Sequence, residues 1–295
     1  MTESSRPGSS ACIRWIMSEV NWHMKLILFR HLWGVAGKWE DLFPRFRAAG
    51  YQGVESAVPP TEDRKRFRTL LRQNGLEFIP QIFSHGETVE EHLESLREQI
   101  AAAKTFAPRF INAHSGQDAF SEDQSLCFFE GALQLETKAG VAIAHETHRG
   151  RILFNPWITS RLLTRFPDLK LCCDFSHWVC VCERLIEDQI HIIRQCADHC
   201  LHLHARVGYE QGPQVPDPRA QEYQRHLEAH EAWWRLAWKA QAKRGFRFST
   251  LTPEFGPPDY QHTLPFTCAP VSNLDEICDW QARRQAEHFA RRFRK

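Results

Sequence analysis

Five short segments end in residues that could do chemistry: FINAHSG, IAHETHRG, CCDFSHW, LHLHARVG and LTPEFG. In turn they carry His114, then Glu146 and His148, Asp174 and His177, then His202, His204 and Arg206, and finally Glu254. Side chains of a strand alternate with period 2, so Glu146 and His148 share one face, as do His202, His204 and Arg206. A single histidine at a single strand end is ordinarily a polar rim residue. Five such ends weigh differently, because acids and imidazoles aimed into one space are costly to desolvate unless a cation or a hydrogen-bond network compensates them. Glu146, Asp174, His204 and Glu254 are therefore expected to hold one divalent metal ion. Three carboxylates and one imidazole form a mostly hard ligand set; Mn²⁺ is the expected ion, with Mg²⁺, Co²⁺ or Zn²⁺ also compatible. A rival zinc cluster of Cys172, Cys173, Cys180 and Cys182 lacks the C-x₂-C spacing of structural zinc sites, and buried apolar thiols are the better reading.

Something must position those segments. From Met24 onward, short β-type runs alternate with amphipathic stretches, the pattern of βα units and a parallel sheet. The pattern predicts strands at 25–31, 53–56, 77–83, 110–114, 141–146, 169–174, 200–204 and 246–254. It predicts helices at 89–106, 219–244 and 274–292, the first with Leu93, Leu96, Ile100 and Ala103 on one stripe. Eight parallel strands without a Gly-rich phosphate turn predict a closed (β/α)₈ barrel, an α/β fold in one domain over residues 23–295. The C-terminal ends of barrel strands converge on one face, which would gather the five polar ends. Residues 1–22 are Ser-rich and aperiodic and are expected to be a flexible tail, with the native start at Met17 or Met24.

Of the 295 residues, 42% are hydrophobic and 25% charged, enough for a sizeable core. The formal net charge of +1 provides no field to draw the protein to nucleic acid or an anionic membrane, so neither is an expected partner. No apolar run reaches the roughly 18 residues of a membrane span, and MTESSRPGSSACIRW lacks the apolar core of a signal peptide. The ten cysteines show no small-secreted-domain framework and are expected to be reduced, with a cytoplasmic location.

The strand ends resemble those of the xylose isomerase-like TIM barrels, a family known broadly as sugar phosphate isomerases and epimerases, over about residues 24 to 290. In that family a Glu ends strand five and an Asp followed by x-x-His ends strand six. A His or Gln in an H-x-H or H-x-Q pair ends strand seven, and a Glu ends strand eight. Here these are Glu146, Asp174 with His177, His204 following His202, and Glu254. The resemblance implies a metal-dependent isomerase or epimerase of a small carbohydrate derivative, working through a metal-stabilised enediolate, with Glu146 and Glu254 as the catalytic pair that moves the proton. His114, His148, His177, His202, Arg149 and Arg206 are then the expected substrate contacts.

The sequence also departs from the pattern. The ketose 3-epimerase branch has an Arg six residues after the ligand His; this chain has Glu210, which points away from a plain ketohexose epimerase. Instead Arg149 and Arg151 follow strand five and Arg206 follows His204. Guanidinium forks suit carboxylate or phosphate, so an anionic sugar derivative is expected unless these arginines pair with neighbouring acids. The alternative reaction is a metal-dependent lyase or dehydratase on a keto-sugar or keto-inositol. An abasic-site endonuclease would need a basic groove that the balanced charge does not provide, and a non-catalytic metal-binding barrel would not need the additional histidines. A homo-oligomer is compatible with a barrel of this kind. The long Gly- and Pro-containing loop 207–223 reads as a lid or specificity element, or as a structural ornament or subunit contact. Trp33, Phe83 and Trp178 read as an apolar wall for a sugar ring or as core.

Overall fold

The computed structural model of the chain describes residues 24–293. The proposed tail and the alternative start at Met17 lie outside them. Eight parallel strands close into a barrel in sequence order: β1 (Lys25–His31), β2 (Gly53–Ala57), β3 (Glu77–Phe83), β4 (Ile111–His114), β5 (Ile143–Glu146), β6 (Lys170–Cys173), β7 (Cys200–His204) and β8 (Phe248–Thr252). β8 pairs with β1 in the register Lys25↔Phe248, which completes the ring. The predicted (β/α)₈ architecture is the observed one, with shorter strands at several ends. Asp174 and Glu254 fall just past the pairing of their strands. At Asp174 the backbone N–H leaves the sheet to donate to Thr147 Oγ1 at 2.8 Å, and the carboxylate accepts from Ser176 N at 3.0 Å.

Helices alternate with the strands. They are α1 (Trp39–Ala48), α2 (Arg64–Gln73), α3 (Val89–Lys104), α4 (Glu122–Ala139), α5 (Pro156–Arg165), α6 (Ser176–Val181), α7 (Ile190–His199), α8 (Gln224–Lys243) and α9 (Leu274–Phe293). Local chemistry sets their starts. Thr88 Oγ1 accepts from Glu91 N while Glu91 Oε2 accepts from Thr88 N, a capping box that opens α3, and Ser121 with Gln124 does the same for α4. α5 opens on Asn155, whose side chain accepts from Ile158 N at 2.9 Å, followed by Pro156 at the first helical position. α8 starts later than the predicted residue 219, after a short 3₁₀ turn at Gln221–Tyr223. α6, a helix of six residues, was not foreseen. α9 is tied to β1 by the buried Arg30, whose Nη2 donates to Asp275 Oδ1 at 2.7 Å. Among the described residues no helix is long and apolar enough to cross a membrane.

The interior of the barrel is layered by strand periodicity. Phe29, Ile79, Phe110, Ala144 and Cys172 pack together as an apolar floor. β2 contributes Gly53 at that level, and a Cβ there would lie 2.2 Å from the Phe29 ring and 2.8 Å from the Glu77 carbonyl oxygen. Gly53 thus makes room for the ring that fills the floor. Two residues further along four of those strands, the period of 2 places Glu55, Gln81, Asn112 and Glu146, so a polar layer lies on the apolar one.

Candidate metal centre and catalytic cavity

Glu146, Asp174, His204 and Glu254 each present one ligand-type atom, and these atoms lie within 4.8 Å of one another, all buried. They come from β5, the end of β6, β7 and the end of β8, four consecutive strands at the C-terminal face. His204 Nδ1 faces Glu254 Oε2 at 3.0 Å, Glu146 Oε2 at 3.6 Å and Asp174 Oδ2 at 4.0 Å. That nitrogen and Glu146 Oε1 are buried polar atoms without a hydrogen-bond partner. An imidazole nitrogen aimed at three carboxylates and satisfied by none fits a cation between them. Burial and neighbouring charge act on the acids of the cluster in opposite directions. Burial holds the Asp174 carboxyl above its ordinary range, with Arg206 and His204 offsetting this only in part. For Glu146 burial also acts upward, but His114 and His204 outweigh it and hold the group well below the usual carboxylate range. The residues present fit a divalent ion.

Beneath the cage lies a residue that the sequence reading passed over. Glu55, on β2, is 1% exposed and accepts from His204 Nε2 at 3.0 Å, His202 Nε2 at 3.1 Å, Asn112 Nδ2 at 3.0 Å and Thr252 Oγ1. With Nε2 committed to Glu55, His204 presents Nδ1 to the three carboxylates. Asn112 also donates to Glu146 Oε2 at 2.8 Å and so links the two acids. Burial acts to raise the Glu55 carboxyl, yet His204 and His202 hold it well below its usual range. Its available signal was the alternation in GVESA, which puts Glu55 on the same face as Gly53.

Above the cage is a cavity of about 480 Å³ lined by Glu146, Glu254, His114, His148, Arg151 and Arg206, with Trp33, Phe83 and Tyr260 among its apolar walls. Asp174 and His204 do not line it; they hold the back of the cage. His114 Nε2 lies 2.9 Å from Glu146 Oε2, and the rings of His114, His148 and His177 lie tilted against one another in succession at centroid distances of 4.4 and 3.9 Å.

Several expected substrate contacts lie elsewhere. His202 sits one layer down, fully buried, bonded to Thr250, Thr252 and Glu55, and does not line the cavity. His177 is fully buried behind His148, with Arg206 Nη2 at 2.8 Å from its Nε2. Arg206 is itself engaged: its Nη2 pairs with Asp174 Oδ2 and lies 3.2 Å from Glu254 Oε2. Arg149 lies in the adjoining cleft, not in the cavity proper. Trp178 is core, its indole N–H donating to the Leu153 carbonyl at 2.9 Å, so it forms no part of a wall.

The four cysteines of the rival cluster do not gather among the described residues. Cys172 does approach His202 and His204, but both Nε2 atoms already bond Glu55 and His202 Nδ1 already bonds Thr250. Loop 207–223 is pinned and does not form a free lid over the cavity. Gln214 exchanges bonds with Gly256, 3.1 Å to its carbonyl and 2.7 Å from its N–H, and so braces the segment that follows Glu254.

An eight-stranded barrel with acids and imidazoles gathered at its C-terminal face defines the class. The model of the xylose isomerase-like TIM barrel matches residues 43–244, and the chain belongs to that family. No curated protein matches it by sequence. Among solved structures it resembles a xylose isomerase-like TIM barrel protein from Mycobacterium smegmatis in complex with magnesium, at 11% identity and TM-score 0.61, covering 92% of this chain and 98% of that one. It also resembles the probable 3-DHS dehydratase of petrobactin synthesis from Bacillus anthracis, at 14% identity and TM-score 0.56, covering 89% and 98%. A third is the apo form of 3-keto-D-glucoside 4-epimerase from E. coli, at 11% identity and TM-score 0.53, covering 91% and 99%. Likeness at such identities shows the shared fold, and the second and third proteins bear the names of different reactions.

Proposed function

We propose that the protein is a divalent-metal-dependent isomerase or epimerase of a small carbohydrate derivative, with Mn²⁺ as the expected ion. The observation that carries this reading is the division of labour in the cage. Asp174 and His204 stand behind it, while Glu146 and Glu254 line the cavity where a substrate would sit. Glu146, Asp174, His204 and Glu254 would hold the ion, and such an ion supplies Lewis-acid polarisation of a substrate carbonyl.

The chain's own residues do the rest. Glu146, held at Oε2 by Asn112 and His114, would take a proton from a carbon beside the carbonyl. Glu254, just past the end of β8, approaches from a different side and can return the proton or take a second one. Two carboxylates acting on two sides give epimerisation; one serving both carbons gives isomerisation. His114 and His148, which line the cavity, would bond sugar hydroxyls, and Trp33 and Phe83 would pack against the sugar.

A second reading is supported by His148. It lines the cavity outside the four-residue cage, with Nε2 3.4 Å from the Tyr260 hydroxyl; burial keeps the imidazole neutral, so His148 would orient the Tyr260 hydroxyl, which would hydrogen-bond a departing β-substituent. That would make the protein a lyase or dehydratase on the same type of keto-sugar. Mn²⁺-loaded protein incubated in D₂O with a panel of ketoses and 3-keto-sugars separates the two. Isomerase or epimerase action conserves composition and places deuterium at the reacting carbon. Elimination lowers the product mass by the leaving group and would replace the first reading with the second. If metal-replete protein gave neither exchange nor a new product across the panel, both would fall.

A further inference from the structure

We propose that the loop after β5 forms an anion-binding subsite, in which Arg149 and Arg151 take the carboxylate or phosphate of a substrate whose reacting end lies against Glu146 and Glu254. This rests on the carbohydrate reading above and narrows it to sugar acids and sugar phosphates.

Three observations carry it. First, the two guanidinium groups are half-buried, yet neither has a carboxylate oxygen within 4.0 Å among the described residues. The deeply buried arginines of this barrel do not behave that way: Arg30 pairs with Asp275, and Arg206 pairs with Asp174 and Glu254. The nitrogens of Arg149 and Arg151 that have no partner among the described residues stay open to the cleft, where an anion can replace water.

Second, Arg151 is held in place without being used up. Its Nη1 donates to the carbonyls of Ser84 at 2.9 Å and Gly116 at 3.0 Å, while Nε and Nη2 have no partner among the described residues. Arg149 lies with its Cζ 4.8 Å from the centroid of the Tyr260 ring, and its side chain donates, among the described residues, to Cys180 Sγ at 4.0 Å. Stacking fixes the plane of a guanidinium while leaving its edge free to bind an oxyanion. Burial lowers the Arg151 pKa from its ordinary value, the direction an incoming anion would reverse.

Third, the two arginines stand where a substrate would reach them. Arg151 lines the same 480 Å³ cavity as Glu146 and Glu254. The adjoining cleft, of about 720 Å³, contains Arg149, Arg151 and His85 and shares Phe83, His148 and Arg151 with the cavity. The combined space is acidic at the cage and cationic at the loop. A neutral sugar uses only the first end; a sugar acid or sugar phosphate is oriented by both.

Binding of glucose, glucuronate and glucose 6-phosphate to the Mg²⁺-loaded protein, measured by calorimetry, tests the subsite and distinguishes its two sources. The expected result is that one anionic sugar binds at least about tenfold more tightly than glucose, the scale of one charge-assisted hydrogen bond. Arg149→Gln should remove most of that advantage and leave glucose binding unchanged, and Arg151→Gln should also remove most of the advantage. Arg149 donates no backbone bond, so its variant keeps the test valid should Arg151→Gln fail to fold. The subsite is refuted if neither anion is preferred, or if the preference survives Arg149→Gln. Metal content of the same samples separates this failure from that of the proposed function. Normal metal loading without anion preference overturns the subsite alone; anion preference without metal binding overturns the metal-dependent reaction alone.

Discussion

Replacing Glu55 with glutamine should weaken metal binding by about 10- to 100-fold, although Glu55 belongs to the layer beneath the cage and is not among its ligands. The carboxylate accepts from His204, His202, Asn112 and Thr252, and all four partners are themselves buried. Glutamine preserves the shape but turns one acceptor oxygen into an NH₂ group, so at least one of these donors faces another donor. If that donor is His204 Nε2, the imidazole is driven to carry its proton on Nδ1, the nitrogen aimed at Glu146, Asp174 and Glu254. A protonated nitrogen cannot ligate a cation. Each charge-assisted bond lost costs about 1.5–3 kcal/mol, and 10- to 100-fold in affinity corresponds to about 1.4–2.8 kcal/mol, so one misplaced bond accounts for the whole effect. Calorimetric titration with Mn²⁺ at constant pH measures it, and a thermal melt of the metal-free protein reports the cost to the fold. Unchanged Mn²⁺ affinity in a folded Glu55→Gln protein would show that Glu55 does not set the orientation of His204, and the reasoning would be wrong.

Asp174→Ala and His204→Ala should each abolish most metal binding by elemental analysis, whereas Cys172→Ser should not; full occupancy in both ligand variants would remove the proposed cage. Glu254→Gln should keep at least part of its metal and lose about 10²-fold or more in turnover, measured on whichever substrate the panel identifies; near-normal turnover would move the acid–base role to another cavity residue. Gly53→Ala should lower thermal stability by about 1–3 kcal/mol, because its Cβ meets the Phe29 ring and the Glu77 carbonyl; an unchanged melting curve would mean the floor can relax. Acid should destabilise the fold through His230, whose pKa burial lowers to about 4. Its neutral form is favoured in the folded state, so the unfolded chain binds the extra proton and stability falls as pH drops from about 6.5 to 4, by up to about 3 kcal/mol. Denaturant melts of the native protein and His230→Gln across that range check the sign: a variant that loses as much stability as the native protein between pH 6.5 and 4 contradicts it.

The alternation of β-type runs with amphipathic stretches determined the barrel, and the acids and imidazoles at the ends of the last four strands determined the cage. Both were legible because strand periodicity fixes which face a side chain takes, and a closed parallel barrel sends every strand end to one mouth. Height within the barrel was not legible. His202 and His148 both read as substrate contacts, yet His202, two residues before His204, lies beneath the cage and His148, two residues after Glu146, lines the cavity; the stagger between neighbouring strands sets where that cavity begins. Glu55 and Asn112 were missed for the same reason: within GVESA and INAH they are ordinary strand residues until the registers of β2, β4 and β5 bring them under Glu146 and His204. The arginines make the point through charge. Arg149, Arg151 and Arg206 look alike in sequence, and only the tertiary arrangement shows that Arg206 is engaged by Asp174 and Glu254 while the other two face a cleft without a carboxylate. Pair distances between residues far apart in the chain decide such questions, and those distances follow from how eight strands close on one another, which no local run of residues encodes.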